Sequence, residues 1–360
     1  MDYKNKNKTK KAGKRLGVLA VMILTLMLCA ACGKKKAEEE KASKDIVFTV
    51  GDEQVSLPEV NIYAEIVREH YENAYGNGVW SLSVYVEDMD EVPLEEMTRQ
   101  DIINDIVQVK LLKMEAEERA ITLTEEEEQE IATESARFWK YMTDDEMERT
   151  GITEDLVNRV MRENLLAKKM YDKIIQDAGL TVSDEEARET RFYDLFFPGA
   201  TVNEDGTVTP LSDEQVESIH QKAIDAYDSL LNPTEEGSSG VHVSDMERLK
   251  KTYQLDLSEE VVMTPEEITN TYGSEIHDML YKLEDGSYSL VTQSAYGYHI
   301  FYMIALTDRE TTDSRKEVIL KEKRQAYFET EKEKLLEKYA PGFKYENSVN
   351  MDLYNEITFE

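Results

Sequence analysis

The stretch YKLEDGSYSLVTQSAYGYHIFYM, Tyr281 to Met303, decides the fold. Tyr288 to Thr292 and Tyr298 to Ile304 read as paired strands: aromatic and β-branched residues fill both runs, and Gly297 takes the turn between them. His299 lies inside the second strand among aromatic residues. On the residues alone, such a histidine reads more readily as a satisfied structural group than as a functional one.

The surrounding sequence supplies partners for this hairpin. Arg191 to Phe197 (RFYDLFF) is another aromatic, strand-like run, closed by Pro198-Gly199. Ser212-Asp213-Glu214-Gln215 has the spacing of a capping box and opens a helix with Val216, Ile219, Ala223, Ile224, Tyr227, Leu230 and Leu231 inward. Asn232 to Gly240 reads as a flexible loop. Thr264-Pro265-Glu266-Glu267 combines an N-cap, a proline at the first helical position and a glutamate at the third. After Asp308 a charged helix runs to about Tyr339, Pro341-Gly342 breaks it, and Phe343 to Phe359 reads as extended.

Upstream, Ile46 to Val50 and Gln54-Val55 form a short hairpin around Gly51-Asp52. Ser56 and Glu59 then have capping-box spacing ahead of a helix carrying Val60, Tyr63, Ile66, Val67 and His70 on one face. Helices follow in succession from about 94 to 178. Ile102, Ile106, Val109 and Leu112 mark the first, Ile131 and Phe138 the second, and Leu156, Val160 and Met170 the third. The acidic run Glu125 to Glu128 sits in a first helical turn, where negative charge complements the helix dipole.

The first forty residues read as an address. Seven basic residues from Lys4 to Arg15 precede the apolar run Leu16 to Ala31, which is shorter than the roughly 20 residues a spanning helix needs. Ala30 and Ala31 before Cys32 resemble the lipobox of bacterial lipoproteins, with Cys29 where leucine is usual. That resemblance implies lipidation at Cys32, a charged tether over 33–44 and an extracytoplasmic, membrane-anchored chain. The only two cysteines are Cys29 and Cys32, so cleavage before Cys32 leaves no disulfide and the exported part depends on its core. A net charge of −33 argues against nucleic acid and anionic lipid as partners. His70, His220, His242 and His277 have no metal-ligand spacing, and no cofactor motif occurs.

Three stretches in this order resemble the PrsA and SurA type of extracytoplasmic folding factors. Ile46 to Glu65 is similar to the opening of their N-terminal chaperone domain. Val107 to Ile131 is similar to a helix pair of that domain, with Ala120 where glycine is common. Tyr281 to Met303 is similar to the end of a parvulin domain, most specifically through Gly297-Tyr298-His299-Ile300. The resemblance implies an α+β fold: a helical chaperone domain over 45–186, an inserted parvulin-like domain over 187–308, and a helix and tail over 309–360 returning to the first domain. It implies a peptidyl-prolyl isomerase-like activity on unfolded or newly secreted polypeptides. His299 and Asp194 would form the polar centre, and Met263, Tyr281 and Phe301 would line the substrate.

The chain also departs from the family pattern. Asp194 stands where a parvulin carries a second histidine, and the Gly-Gly-Asp-Leu-Gly stretch of active members is absent. The departure predicts weak or lost isomerisation and leaves a holdase of the same architecture as the alternative. A solute-binding lipoprotein is a third reading. It predicts repeated βαβ units, which the long helical run from 94 to 178 opposes.

Overall fold

The computed structural model describes residues 45–85, 91–202, 207–231 and 240–359. Cys32, the leader, the tether and most of the loop at 232–240 lie outside them. No described helix is long and apolar enough to cross a membrane. The chain is α+β and mostly helical. It divides into two compact units, Met1–Gly179 with Arg324–Glu360, and Leu180–Lys323.

In the first unit, strands β1 (Ile46–Val50) and β2 (Glu53–Ser56) form an antiparallel hairpin. Helix α1 (Leu57–Tyr75) follows, then a 3-10 turn (Asn77–Ser81) and the small hairpin β3 (Ser83–Tyr85) and β4 (Glu91–Pro93). Helices α2 (Leu94–Glu118), α3 (Glu125–Tyr141), α4 (Asp144–Thr150) and α5 (Glu154–Ala178) complete the bundle. Phe48, Ile62, Tyr63, Ile103, Leu112, Val160 and Met170 share one core with Phe328, Leu335, Tyr354 and Phe359 from the end of the chain. Thr124 and Glu127 make the expected reciprocal capping bonds at the start of α3.

Ser56 makes no such bond. Glu59 turns into the core instead, where the wholly buried Lys110 ammonium lies 2.7 Å from its Oε1 and 2.5 Å from Oε2 of Glu163. Arg159 holds the other Glu59 oxygen at 3.1 Å. A buried ammonium must be paired, and that demand overrides the local capping pattern. His70, expected on the apolar face of α1, is exposed. The tail is not extended: Tyr345–Ser348 and Met351–Tyr354 form single helical turns, the second capped by Asn350. They bring Phe359 onto the Trp80 ring, with centroids 4.4 Å apart.

The second unit is built on a four-stranded antiparallel sheet in the order β8 (Glu259–Met263), β5 (Thr190–Pro198), β10 (Gly297–Ala305), β9 (Thr292–Ser294). A short turn, α6 (Asp184–Ala187), leads in, and a side hairpin of β6 (Ala200–Val202) and β7 (Val208–Pro210) follows β5. Alternation along the strands separates two faces. Tyr193, Leu195, Phe197, Ile300 and Tyr302 pack under α7 (Asp213–Leu231) and α8 (Val243–Tyr253). Leu231, expected inward, is exposed at the end of α7. Phe192, Phe301 and Met303 pack under α9 (Pro265–Tyr272) and α10 (Ser274–Leu280).

The strand read over Tyr288 to Thr292 is shorter and later than expected. Tyr288 makes only an isolated bridge to Tyr302, and Thr292 begins β9. The limits expected at 187 and 308 fall inside the second unit. Asp184 holds Arg309 and Lys316, and Glu186 holds Lys323, so α6 and the start of the helix Arg309–Tyr339 belong with the sheet.

Candidate functional site

The register sets the site. Asp194 is paired with Phe301 and Phe196 with His299 across the two central strands, so Asp194, Phe196, His299 and Phe301 share the face under α9. His299 Nδ1 lies 2.8 Å from Oδ1 and 3.1 Å from Oδ2 of Asp194. On the other side of the ring, Nε2 lies 2.8 Å from Oγ of Ser294 in β9. Asp194 accepts a second hydrogen bond at 3.1 Å from the hydroxyl of Tyr272, the last residue of α9.

A carboxylate only accepts, so Nδ1 donates to Asp194, and in the neutral ring Nε2 accepts from the Ser294 hydroxyl. The Ser294 oxygen in turn accepts the Tyr296 amide hydrogen at 3.0 Å. The rings stack in register with this chain. Phe196 lies over His299 at 4.6 Å and 17°, Phe301 lies beside it at 5.1 Å, and Tyr272 stands edge-on at 5.6 Å and 90°. Burial and the neighbouring Asp194 carboxylate push the Tyr272 hydroxyl far above its ordinary value, so it stays a donor.

The pair is enclosed, with His299 3 % and Asp194 7 % exposed. Half-buried Phe196, Tyr272 and Ser294 form its outer wall. The arrangement offers a fixed imidazole, one hydroxyl reachable from outside and an aromatic surround of low polarity. It can orient and partly desolvate a polar group laid on Ser294. Among the described residues no cluster of His, Cys, Asp and Glu could hold a metal.

Of the five residues expected at the centre, the structure joins three. Asp194, His299 and Phe301 meet, but Phe301 has no exposed surface and supports the imidazole from within, so direct contact with a client is closed to it. Met263 and Tyr281 group elsewhere on the face. Met263 is paired with Thr190, and the Tyr281 hydroxyl lies 3.4 Å from Thr190 Oγ1. Thr190 is four residues from Asp194 along β5, or about 13 Å at strand rise. Tyr281 stacks on His277 at 4.3 Å with the Arg188 guanidinium over its ring, so its contacts are local. Ser294, Tyr272 and Phe196 take the places next to the pair. Ser294 was within reach of sequence reading, five residues before His299 in the quoted stretch. Tyr272 gave no signal, because nothing local distinguishes a tyrosine at the end of a short helix.

The foldase protein PrsA of Clostridium perfringens is 25 % identical over 291 residues, covering 79 % of this chain and 80 % of that protein. The chain is similar to this foldase protein over about four fifths of its length. PrsA of Caldanaerobacter subterraneus is 22 % identical over 298 residues, covering 82 % of this chain and 83 % of its own. Among solved structures, the peptidylprolyl isomerase PrsA of Bacillus cereus aligns at 18 % identity with a TM-score of 0.25, over 76 % of this chain and 98 % of its own. A SurA-like chaperone of Campylobacter jejuni aligns at 12 % identity with a TM-score of 0.27, over 82 % of this chain and 97 % of its own. Scores of that size carry no weight for the fold, which rests on the chain's own strand order and packing. No family model matches the chain.

Proposed function

We propose that the chain is an extracytoplasmic folding factor, tethered to the membrane through a lipid on Cys32, whose second unit is a parvulin-like isomerase module acting on prolyl bonds of newly secreted polypeptides. The observation that carries the reading is the hydrogen-bonded chain Tyr272–Asp194–His299–Ser294 on the strands that resemble a parvulin domain.

Prolyl isomerisation needs neither nucleophile nor metal. Amide resonance sets a rotation barrier of about 18–20 kcal/mol. The planar amide carries separated charge that water stabilises, whereas the twisted amide carries less. An apolar wall therefore favours the twisted form. Phe196 and Tyr272 supply the wall, beside the polar chain Asp194–His299–Ser294. Asp194 holds the imidazole in the tautomer that keeps Ser294 in place.

The test is refolding of a protein limited by a trans-to-cis proline step. Acceleration by the full chain, lost in His299→Ala, is the expected result. A second reading, a holdase without isomerase activity, is favoured by the near-complete burial of His299 and Asp194. It predicts no acceleration but suppressed aggregation of an unfolded client. Failure of both assays removes the folding-factor reading. The solute-binding alternative finds no support, since all strand pairs among the described residues are antiparallel.

A further inference from the structure

A cavity of about 590 Å³ opens in the first unit between α1 and the α3–α4 pair, with Met161 of α5 at its base. This is within the size range of pockets that bind small ligands or side chains, about 300–1,000 Å³. Neither the strand hairpins nor the Asp194–His299 centre uses it.

Two kinds of surface line the cavity. Ile66, Phe138, Met142 and Met161 supply an apolar floor, and Tyr141 stands on the rim with 77 % of its surface exposed. Two flexible thioethers let such a floor fit side chains of different shape. The polar wall is acidic on balance, with Glu65, Glu69, Glu134 and Glu146 against Arg68 and Arg137. Arg68 is held between Glu65 at 2.5 Å and Glu146 at 3.1 Å, and Arg137 lies 3.2 Å from Glu134. Exposed Glu69 has no ion-pair partner among the described residues. Burial raises the Glu65 carboxyl despite Arg68 and Arg149 beside it.

We infer that this cavity is a docking site for an extended polypeptide segment that carries a lysine or arginine next to an aromatic or aliphatic side chain. The apolar neighbour enters over Phe138 and Met142, and the cation lies along Glu69 and Glu65. The chain's net charge of −33 favours the same partners at long range. The inference rests on the folding-factor reading and names the client chemistry that its helical unit selects.

The experiment is fluorescence anisotropy with two dansylated Gly-Ser peptides, one centred on Phe-Lys-Leu and the other on Phe-Glu-Leu, titrated with the full chain. The lysine peptide is expected to bind about tenfold more tightly, with the difference shrinking as salt is raised. Glu69→Lys should erase the preference, and Tyr141→Ser should weaken both peptides several-fold. Both residues are exposed, so unchanged thermal melts keep loss of binding separate from loss of fold. Equal affinity for the two peptides, or variants that bind like the parent, would overturn the site. So would a Tyr141→Ser variant that changes sedimentation but not peptide affinity, since a second copy would then occupy the groove. Suppression of client aggregation by the parent chain, measured in parallel, tests the folding-factor reading separately.

Discussion

Asp194 is held from two sides: His299 Nδ1 lies 2.8 Å from one carboxylate oxygen, and the Tyr272 hydroxyl reaches the other at 3.1 Å. The carboxylate thus ties the two central strands to the last turn of α9. Hydrogen bonds to charged groups contribute about 1.5–3 kcal/mol. Tyr272→Phe keeps the ring contacts with Phe192 and Phe301 and removes only this bond. It should lower the stability of the second unit by about 1–2 kcal/mol in urea unfolding. A change within error would mean that the bond is not formed in solution.

Gly297 begins β10 with φ at +149°, and a Cβ there would lie 2.2 Å from the Phe197 carbonyl oxygen and 2.7 Å from the Gly199 nitrogen. Both contacts are backbone, so nothing flexible can yield. Gly297→Ala should destabilise the second unit by about 3 kcal/mol or more. It should also displace His299, two residues on. Near-ultraviolet circular dichroism and denaturant titration report the two effects separately.

In the first unit, buried Lys110 bridges Glu59 and Glu163, with Arg159 on the other Glu59 oxygen. Removing the Lys110 cation leaves Glu163 without its close partner and Glu59 with Arg159 alone, and breaking a buried pair in this way costs about 3–5 kcal/mol. Lys110→Met should therefore be strongly destabilising at pH 7. The triple variant Lys110→Met, Glu59→Gln, Glu163→Gln should recover most of the loss, because a neutral site has no unpaired charge. Equal stability of the single and triple variants would show that packing, rather than charge, sets the penalty.

Asp101 and Asp105 lie one turn apart on α2, and burial raises them to about 6 and about 7, with Asp101 adding to Asp105 against the pull of Lys332. Both folded values lie above the ordinary 3.8. Below about pH 4 both states are protonated and stability is unaffected. As the pH rises through 4 to 7 the unfolded chain releases these protons first, so stability falls, and the full penalty is present above about 7. Asp105→Asn should raise stability by about 1–2 kcal/mol at pH 8 and leave it unchanged near pH 4. A gain that is the same at both pH values would point to a packing effect instead.

The features legible in sequence were those with a local cause. Thr124 with Glu127 and Thr264 with Glu267 start helices as their spacing implies, because the capping bonds need nothing beyond four residues. Asp194 and His299 were brought together only by the family resemblance, since nothing local to either strand names its partner. What was missed depends on distant partners. Glu59 looked like a capping residue until Lys110, on another helix, claimed it. The helices Val243–Tyr253 and Ser274–Leu280 were missed because they are short and polar, and the sheet they cover supplies most of their apolar surroundings. Tyr272 acquires its partner only when α9 docks over β5.

The tail has a consequence for biogenesis. Asn350 donates to the Val47 carbonyl, Arg99 donates to that of Ile357, and Phe359 covers Trp80. The larger unit therefore closes only when residues hundreds of positions apart meet, whereas 180–323 is contiguous and can form as soon as it has emerged. During vectorial export the sheet module would mature first, while the helical unit waits, open, for its last turn of chain. Such contacts across the whole sequence slow closure. The chain thus passes through a stage in which its own groove-bearing half is unsealed, and trimming about ten residues from its end would hold it there.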